Sequence, residues 1–377
     1  MLIDSTLREG AQAYGVYFDN GAKRRMAELL ASAGVDELEC GWLGQQDLRE
    51  FLLWAQGALP GSENDARDNG SPALSLWCPC REAAVREAAR LAKAGLVHRL
   101  NIGAPSSALH REKRLGLSQP EMAARVRTVV ATAKAEGVGY ISVGLEDISR
   151  ADPDEALALG RAAVEAGASR LRLSDTVGLL TPLATAALVR RFVAELSVPV
   201  ALHAHNDLGM ATANAVTALE CGASFVDVSV LGLGERAGIA SLEQVAAWIG
   251  QQKCLNDKKS YDLLLLRALC LLASQAAKTP VARNRPVVGE DVFAAESGIH
   301  VHGLLRDPAL FEPFAPETVG ATRRVGVGAK SGGAALTAAI TRLRGVGAAD
   351  SGLMSRVRDL AERLGRPLTD KELLGVL

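Results

Sequence analysis

Eight short β-rich runs, each followed by a segment long enough for a helix, constrain this chain more than any other feature. The runs are 2–6, Glu37–Gly41, Ala73–Trp77, Arg99–Gly103, Tyr140–Gly144, Arg170–Ser174, Val200–His205 and Phe225–Val230. The segments between them are rich in Ala and Leu at helical spacing, as in Glu82–Ala94, Pro120–Glu136 and Asp154–Ala166. Several of them end in glycine just before the next run (Gly34, Gly95, Gly137, Gly167, Gly222), the residue suited to the left-handed position that closes a helix. Eight strand–helix units in about 250 residues predict an α/β fold of the (βα)8 TIM-barrel type. The rival is an open doubly wound sheet. It usually has fewer strands, and no Gly-x-Gly-x-x-Gly follows the first strand here.

The rhythm breaks at Gly57–Pro72, a Gly/Pro/Ser/Asn/Asp stretch that reads as a surface loop, and changes again around Gln251–Ser260. Residues 261–278 read as one apolar helix, 289–333 as irregular and Gly-rich, and 334–377 as short helices. The predicted organisation is a catalytic barrel over 1–255 and a smaller, mainly helical accessory and lid region over 256–377.

A net charge of −1, with 48% apolar and 23% charged residues, is that of a soluble globular protein without a basic stripe. Nucleic acid and membrane surfaces are therefore excluded as main partners. The six cysteines show no framework spacing and read as reduced, mostly buried thiols. The chain opens directly on Leu2-Ile3-Asp4 and contains no apolar run of membrane-spanning length, which predicts a cytoplasmic protein.

Barrel enzymes place their chemistry at the C-terminal ends of the strands. There the sequence offers Arg8 and Glu9, Glu39, Glu146 and Asp147, Asp175 and Thr176, and finally His203-Ala204-His205-Asn206-Asp207. Two residues apart on a strand, His203 and His205 project from one face. Two imidazoles and a carboxylate make a divalent-metal site with positions left open for a bidentate ligand such as a 2-oxo acid. An adjacent Arg8 suits an oxyanion developing on that ligand. Glu39 reads equally well as a structural carboxylate and is left out of the site. Asp175 and Asp207 are balanced between ligand and loop anchor. The glycines of Gly232–Gly238 permit tight turns at the barrel mouth and are weak indicators of phosphate binding.

As a set, Asp4–Gln12, His203–Asp207, Gly232–Gly238 and Glu296-Ser-Gly-Ile-His300 resemble the motifs of the metal-dependent Claisen-condensing acyltransferases. That family includes homocitrate, isopropylmalate and citramalate synthases. The resemblance runs from Ile3 to about Ser331. Within the family, Glu146–Arg150, Asp175–Gly178 and His203–Ala213 are most similar to the homocitrate synthases of the nitrogen-fixation type.

The resemblance implies condensation of acetyl-CoA with a 2-oxo acid, with 2-oxoglutarate giving homocitrate and CoA as the favoured case. It implies a divalent ion (Zn, Mn or Mg) on Glu9, His203 and His205. Arg8 would polarise the keto oxygen, Gln12 and Thr176 would hold the oxo acid, and Glu146 with His300 would remove the methyl proton of acetyl-CoA. It also implies a homodimer in which each subunit's lid closes over its partner.

The chain departs from the family pattern in four places. Ile239 stands where the family has Asn, Ala295 replaces the first lid histidine, and Ala329-Lys330 replaces a Lys-His pair. Pro79 stands where a third-strand Arg or His meets the distal carboxylate of 2-oxoglutarate, with Arg81 and Arg99 as the cations available to substitute. The departures leave open the same condensation on oxaloacetate, pyruvate or 2-oxoisovalerate, and a non-catalytic, metabolite-binding paralogue. A lyase of the same barrel superfamily is disfavoured by the long region after residue 255, and a biotin-dependent carboxyltransferase by the absence of room for a carrier domain.

Overall fold

The computed structural model describes residues 1–59, 71–252, 261–347 and 349–377. Most of the expected 57–72 loop, the segment around 251–260 and Cys254 lie outside them. The described residues form two compact units, Met1–Pro280 and Val281–Leu377.

In the first unit all eight predicted strands are present: β1 (Leu2–Asp4), β2 (Glu37–Trp42), β3 (Ala73–Pro79), β4 (Arg99–Pro105), β5 (Ile141–Glu146), β6 (Arg170–Asp175), β7 (Val200–Ala204) and β8 (Phe225–Val228). They pair in parallel in sequence order, and β8 returns to β1, so the sheet closes into a barrel. Helices follow the strands with local start and stop signals. The helix Pro153–Ala166 begins at Asp152, whose carboxylate accepts the amides of Asp154 and Glu155, and stops at Gly167 with φ +111°.

The division between units falls after Pro280 rather than near 255. The helix Leu264–Ala277, assigned by sequence to the accessory region, buries Leu266, Leu269, Cys270 and Ala273 and packs on the first helix of the barrel, Asn20–Ser32. Tyr261 fastens its approach, its hydroxyl donating to Asp36 Oδ2 at 2.6 Å.

Charged residues fill much of the barrel interior, where apolar layers are usual. Glu37 on β2 accepts two bonds from Arg170 on β6, at 2.7 and 3.0 Å, and a third from Arg99 at 2.6 Å. Burial alone would raise the pKa of Glu37, but Arg170 and Arg99 hold it at about 2. Both guanidinium groups lie over the rings of Tyr140 and Phe225. Ile3, Ala201 and Phe225 form a small buried apolar cluster among them.

The second unit is mainly helical, with Gly298–Arg306, Gly333–Arg344, Ser351–Leu364 and Asp370–Val376, plus one short parallel pair, Ala294–Ala295 with Arg324–Val325. Its core gathers Val301, Leu336, Val357 and Leu373. The five described cysteines are free, and burial pushes the Cys78 and Cys80 thiols up to about 12, so they are inert at neutral pH. Among the described residues no helix is long and apolar enough to cross a membrane.

Candidate metal centre and acid pocket

After β1 the chain winds tightly: the Ser5 carbonyl accepts the amides of Arg8, Glu9 and Gly10 at 3.1, 2.7 and 3.2 Å. This turn folds the Arg8 and Glu9 side chains back over the barrel mouth. Across it, the end of β7 presents His203 and His205 on one face, as their spacing predicts. Their Nε2 atoms lie 3.2 Å apart, and they stand 3.8 and 3.9 Å from the two oxygens of Glu9. One ligand atom from each of the three residues lies within 4.8 Å of the others, and all three residues are buried.

The donor chemistry suits a cation. His203 Nδ1 donates to Asp227 Oδ2 at 2.7 Å, which leaves the Nε2 lone pair facing inward. Burial, and then the neighbouring His203, lower His205 to about 3, so it is a neutral imidazole at neutral pH. Its Nδ1 is buried without a partner among the described residues. Burial would raise Glu9, but Arg8, His203 and His205 bring it down to about 2, so it is ionised. Two imidazoles and a carboxylate pointing at one spot offer a donor set that suits a divalent metal ion.

The surrounding loops hold this arrangement. The Glu235 amide donates to Glu9 Oε1 at 3.2 Å, so the Gly232–Gly238 segment serves the carboxylate. Gly238 has φ +81°, and a Cβ there would collide with the Gly232 carbonyl. Arg236 pairs with Asp207 at 2.8 Å, and Asp175 accepts the amides of Leu179 and Leu180 at 3.0 and 2.9 Å, which makes both aspartates loop anchors. Glu39, left out of the site in the sequence reading, is wholly buried; it holds Arg8 Nε at 2.7 Å and Arg172 Nη1 at 3.0 Å, so it positions Arg8. Arg8 also pairs with Glu9.

Arg8, Glu9, Gln12, Glu146, Thr176, His203 and His205 all line one cavity of about 220 Å³. That is below the ~300–1,000 Å³ of drug-sized pockets and suits a small molecule. Glu146 pairs with Arg114 on its wall, and Thr176 Oγ1 accepts the Asp147 amide at 2.8 Å. His300 belongs to the second unit, where it is exposed on the helix Gly298–Arg306 with its ring 4.4 Å from that of Phe311. Neither Arg81, exposed at a helix start, nor Arg99, tied to Glu37, lines the cavity. Sequence reasoning missed Trp77, Arg172 and Ser174 on the cavity wall and Asp227 behind His203. Their only sequence signal is a polar residue at an inward-facing strand position.

Two measurements probe this centre. Asp227→Asn removes the charged acceptor that orients His203, and metal affinity is expected to drop roughly 10- to 100-fold, measured by competition with a chelating dye. The second uses pH. His205 has a folded pKa below its ordinary 6.5, so the unfolded chain takes up its proton first, and stability falls as pH drops from about 6.5 toward about 3. Glu9 adds to this at lower pH, its contribution being lost as pH falls from 4.5 through about 2. The melting temperature of metal-free protein should therefore decline across this range, and less so in His205→Gln.

A closed (βα)8 barrel with a carboxylate and two imidazoles gathered at its C-terminal mouth has the layout of a barrel enzyme with a candidate divalent-cation site. The HMGL-like family profile matches residues 1–270, and the profile described as "Homocitrate synthase post-HMGL domain-like" matches 287–363. The chain belongs to the HMGL-like family, in its isopropylmalate synthase/homocitrate synthase branch, and is an enzyme. It is 40% identical to a homocitrate synthase of Frankia alni over 89% of this chain and 92% of that one. It is 36% identical to 2-isopropylmalate synthase 2 of Caldanaerobacter subterraneus subsp. tengcongensis over 99% and 94%. Among solved structures, the HMG-CoA lyase of Bacillus subtilis shares the fold, with a TM-score of 0.61 at 21% identity over 76% of this chain and 97% of that one.

Proposed function

We propose that this chain condenses acetyl-CoA with a 2-oxo acid, and that 2-oxoglutarate, giving homocitrate, is its acceptor. The observation that carries this reading is the convergence of Glu9, His203, His205, Arg8 and Glu146 on one small polar cavity. When bound there, the divalent ion supplies Lewis acidity toward the keto and carboxylate oxygens of the acid. Gln12 and Thr176 orient that acid, and Arg8, locked by Glu39, faces the oxygen on which charge develops.

In the proposed reaction Glu146 takes a methyl proton from acetyl-CoA, helped by a His300 imidazole. The resulting carbanion attacks the keto carbon, and the carbonyl electron pair becomes an alkoxide that is then protonated. Water finally cleaves the C–S bond of the thioester, releasing CoA thiol and a carboxylate. The acceptor preference rests on the cavity's polar walls and on the homocitrate synthase relative; the isopropylmalate synthase relative supports the alternative, condensation with 2-oxoisovalerate or another 2-oxo acid. A place in nitrogen fixation follows only from the motif resemblance.

The test is thiol release from acetyl-CoA by purified, Mn²⁺- or Mg²⁺-loaded protein, offered 2-oxoglutarate, oxaloacetate, pyruvate and 2-oxoisovalerate one at a time. Release with 2-oxoglutarate alone supports the full proposal. Release with another acid keeps the condensation and changes the product; none with any acid rejects it. Homodimerisation with lid exchange has its own test: mixed Glu146→Ala and His300→Ala variants should recover part of the activity that each lacks alone.

A further inference from the structure

Arg172 is the unexplained group of this cavity. It is 3% exposed, and only its Nη1 is engaged, with Glu39 Oε1 at 3.0 Å and Asp227 Oδ2 at 3.1 Å. Its Nε and Nη2 are buried without a hydrogen-bond partner among the described residues. A guanidinium left with two buried, unused donors is costly unless a ligand completes it.

The wall beside Arg172 is shaped to admit such a ligand. Along β6 and just past its end, residues 172, 174 and 176 line the cavity in succession, so Arg172 lies deeper than Ser174 and Thr176. Gly144 on β5 is its register partner, and Gly103 on β4 is the partner of Gly144. A Cβ on Gly144 would meet nothing closer than 3.8 Å, so this glycine leaves open space at the level of the guanidinium. Ser174 and Trp77, each with a side-chain hydrogen-bond donor, also line the cavity.

Charge points the same way. Around the barrel axis the carboxylates of Glu9, Glu37, Glu39 and Asp227 are paired with Arg8, Arg99, Arg170 and Arg172, and burial raises their neighbour Asp4 to about 7. A divalent cation on Glu9 and the two histidines adds two positive charges to this interior. An acceptor with one carboxylate neutralises half of that, whereas one with two neutralises all of it.

We propose that Arg172, through its free Nε and Nη2 and with Ser174 and Trp77 beside it, binds the second acidic group of a dicarboxylic 2-oxo acid in the space left by Gly144. This rests on the condensation reading for the identity of the acid. It assigns to β6 the contact that Pro79 on β3 cannot make, and excludes Arg81 and Arg99 from the role. An acceptor with an aliphatic end would leave both donors unpaired and desolvated, which makes Arg172 a specificity determinant.

The test is calorimetric titration of Mn²⁺-loaded protein, without acetyl-CoA, with 2-oxoglutarate, oxaloacetate and 2-oxoisovalerate. Wild type should bind a dicarboxylic acid most tightly. In Arg172→Met that affinity should fall roughly 10- to 100-fold, the loss of a charge-assisted pair, with 2-oxoisovalerate affinity at saturating Mn²⁺ little changed. Because removing Arg172 also strips a partner from buried Glu39 and from Asp227, which orients His203, Gly144→Val provides a second variant. It fills the space and leaves every ion pair intact, and should weaken dicarboxylic acids selectively.

Equal losses for both classes of acid, no loss in either variant, or a wild type that prefers 2-oxoisovalerate would overturn the proposal. If Arg172→Met fails to fold, Gly144→Val decides alone. Selective dicarboxylate binding without thiol release on adding acetyl-CoA would reject the condensation reading and still support the Arg172 subsite.

Discussion

Glu9→Gln is expected to leave a folded protein that has lost stoichiometric metal and nearly all turnover. Glutamine keeps the size of the side chain and an oxygen for the Glu235 amide, but removes the charge that faces His203 and His205. Arg8 retains Glu39 as a partner, so the fold should not depend on this substitution. A bound divalent ion contributes several kcal/mol of charge stabilisation in the transition state, and its loss should lower kcat/KM by roughly 10³-fold or more. Metal content by atomic absorption and thiol release by a chromogenic assay give the two readouts, and His203→Ala should match Glu9→Gln in both. A Glu9→Gln protein with full metal and full turnover would remove Glu9 from the centre.

The barrel was legible because its signals are local. Strand period, helix period and turn residues repeat within a dozen residues, and all eight predicted strands are found. The His203/His205 pair was legible for the same reason, since two residues of spacing on a strand fixes their common face. What could not be read were partnerships across the barrel axis. Glu39 and Arg172 are 133 positions apart, and nothing near either residue announces that one guanidinium serves Glu39, Asp227 and an open cavity. Read alone, Arg172 in Arg170-Leu-Arg-Leu-Ser174 looks like the solvated alternate of a half-buried strand, yet the barrel turns that face inward. Barrel closure also explains why Arg99 misled: it lies at the start of β4, deep below the mouth, where Glu37 claims it.

Glu146 carries the second large expectation. Its carboxylate ends β5 at the cavity wall, level with Ser174 on β6, and pairs with Arg114 on the same wall. The absence of a side chain at Gly103 gives it room: a Cβ there would strike both the Glu146 carboxylate and the Trp77 ring. A proton beside a thioester is weakly acidic, so a positioned base contributes on the order of 10²–10⁴ in rate. On the proposed assignment, Glu146→Gln should lower kcat by that factor while metal content and 2-oxo-acid affinity stay near wild type, because no predicted metal ligand touches this side chain.

Exchange of the acetyl-CoA methyl hydrogens with solvent deuterium, followed by mass spectrometry, isolates the proton transfer from the condensation. Wild type with a non-condensing acceptor analogue should show exchange, and Glu146→Gln should not. Arg114→Met should fall between the two, since it loosens the carboxylate without removing it. If exchange persists undiminished in Glu146→Gln while condensation is lost, Glu146 acts after proton removal and the base lies elsewhere. His300→Ala is then the variant to assay, and loss of exchange there would move the role to the second unit.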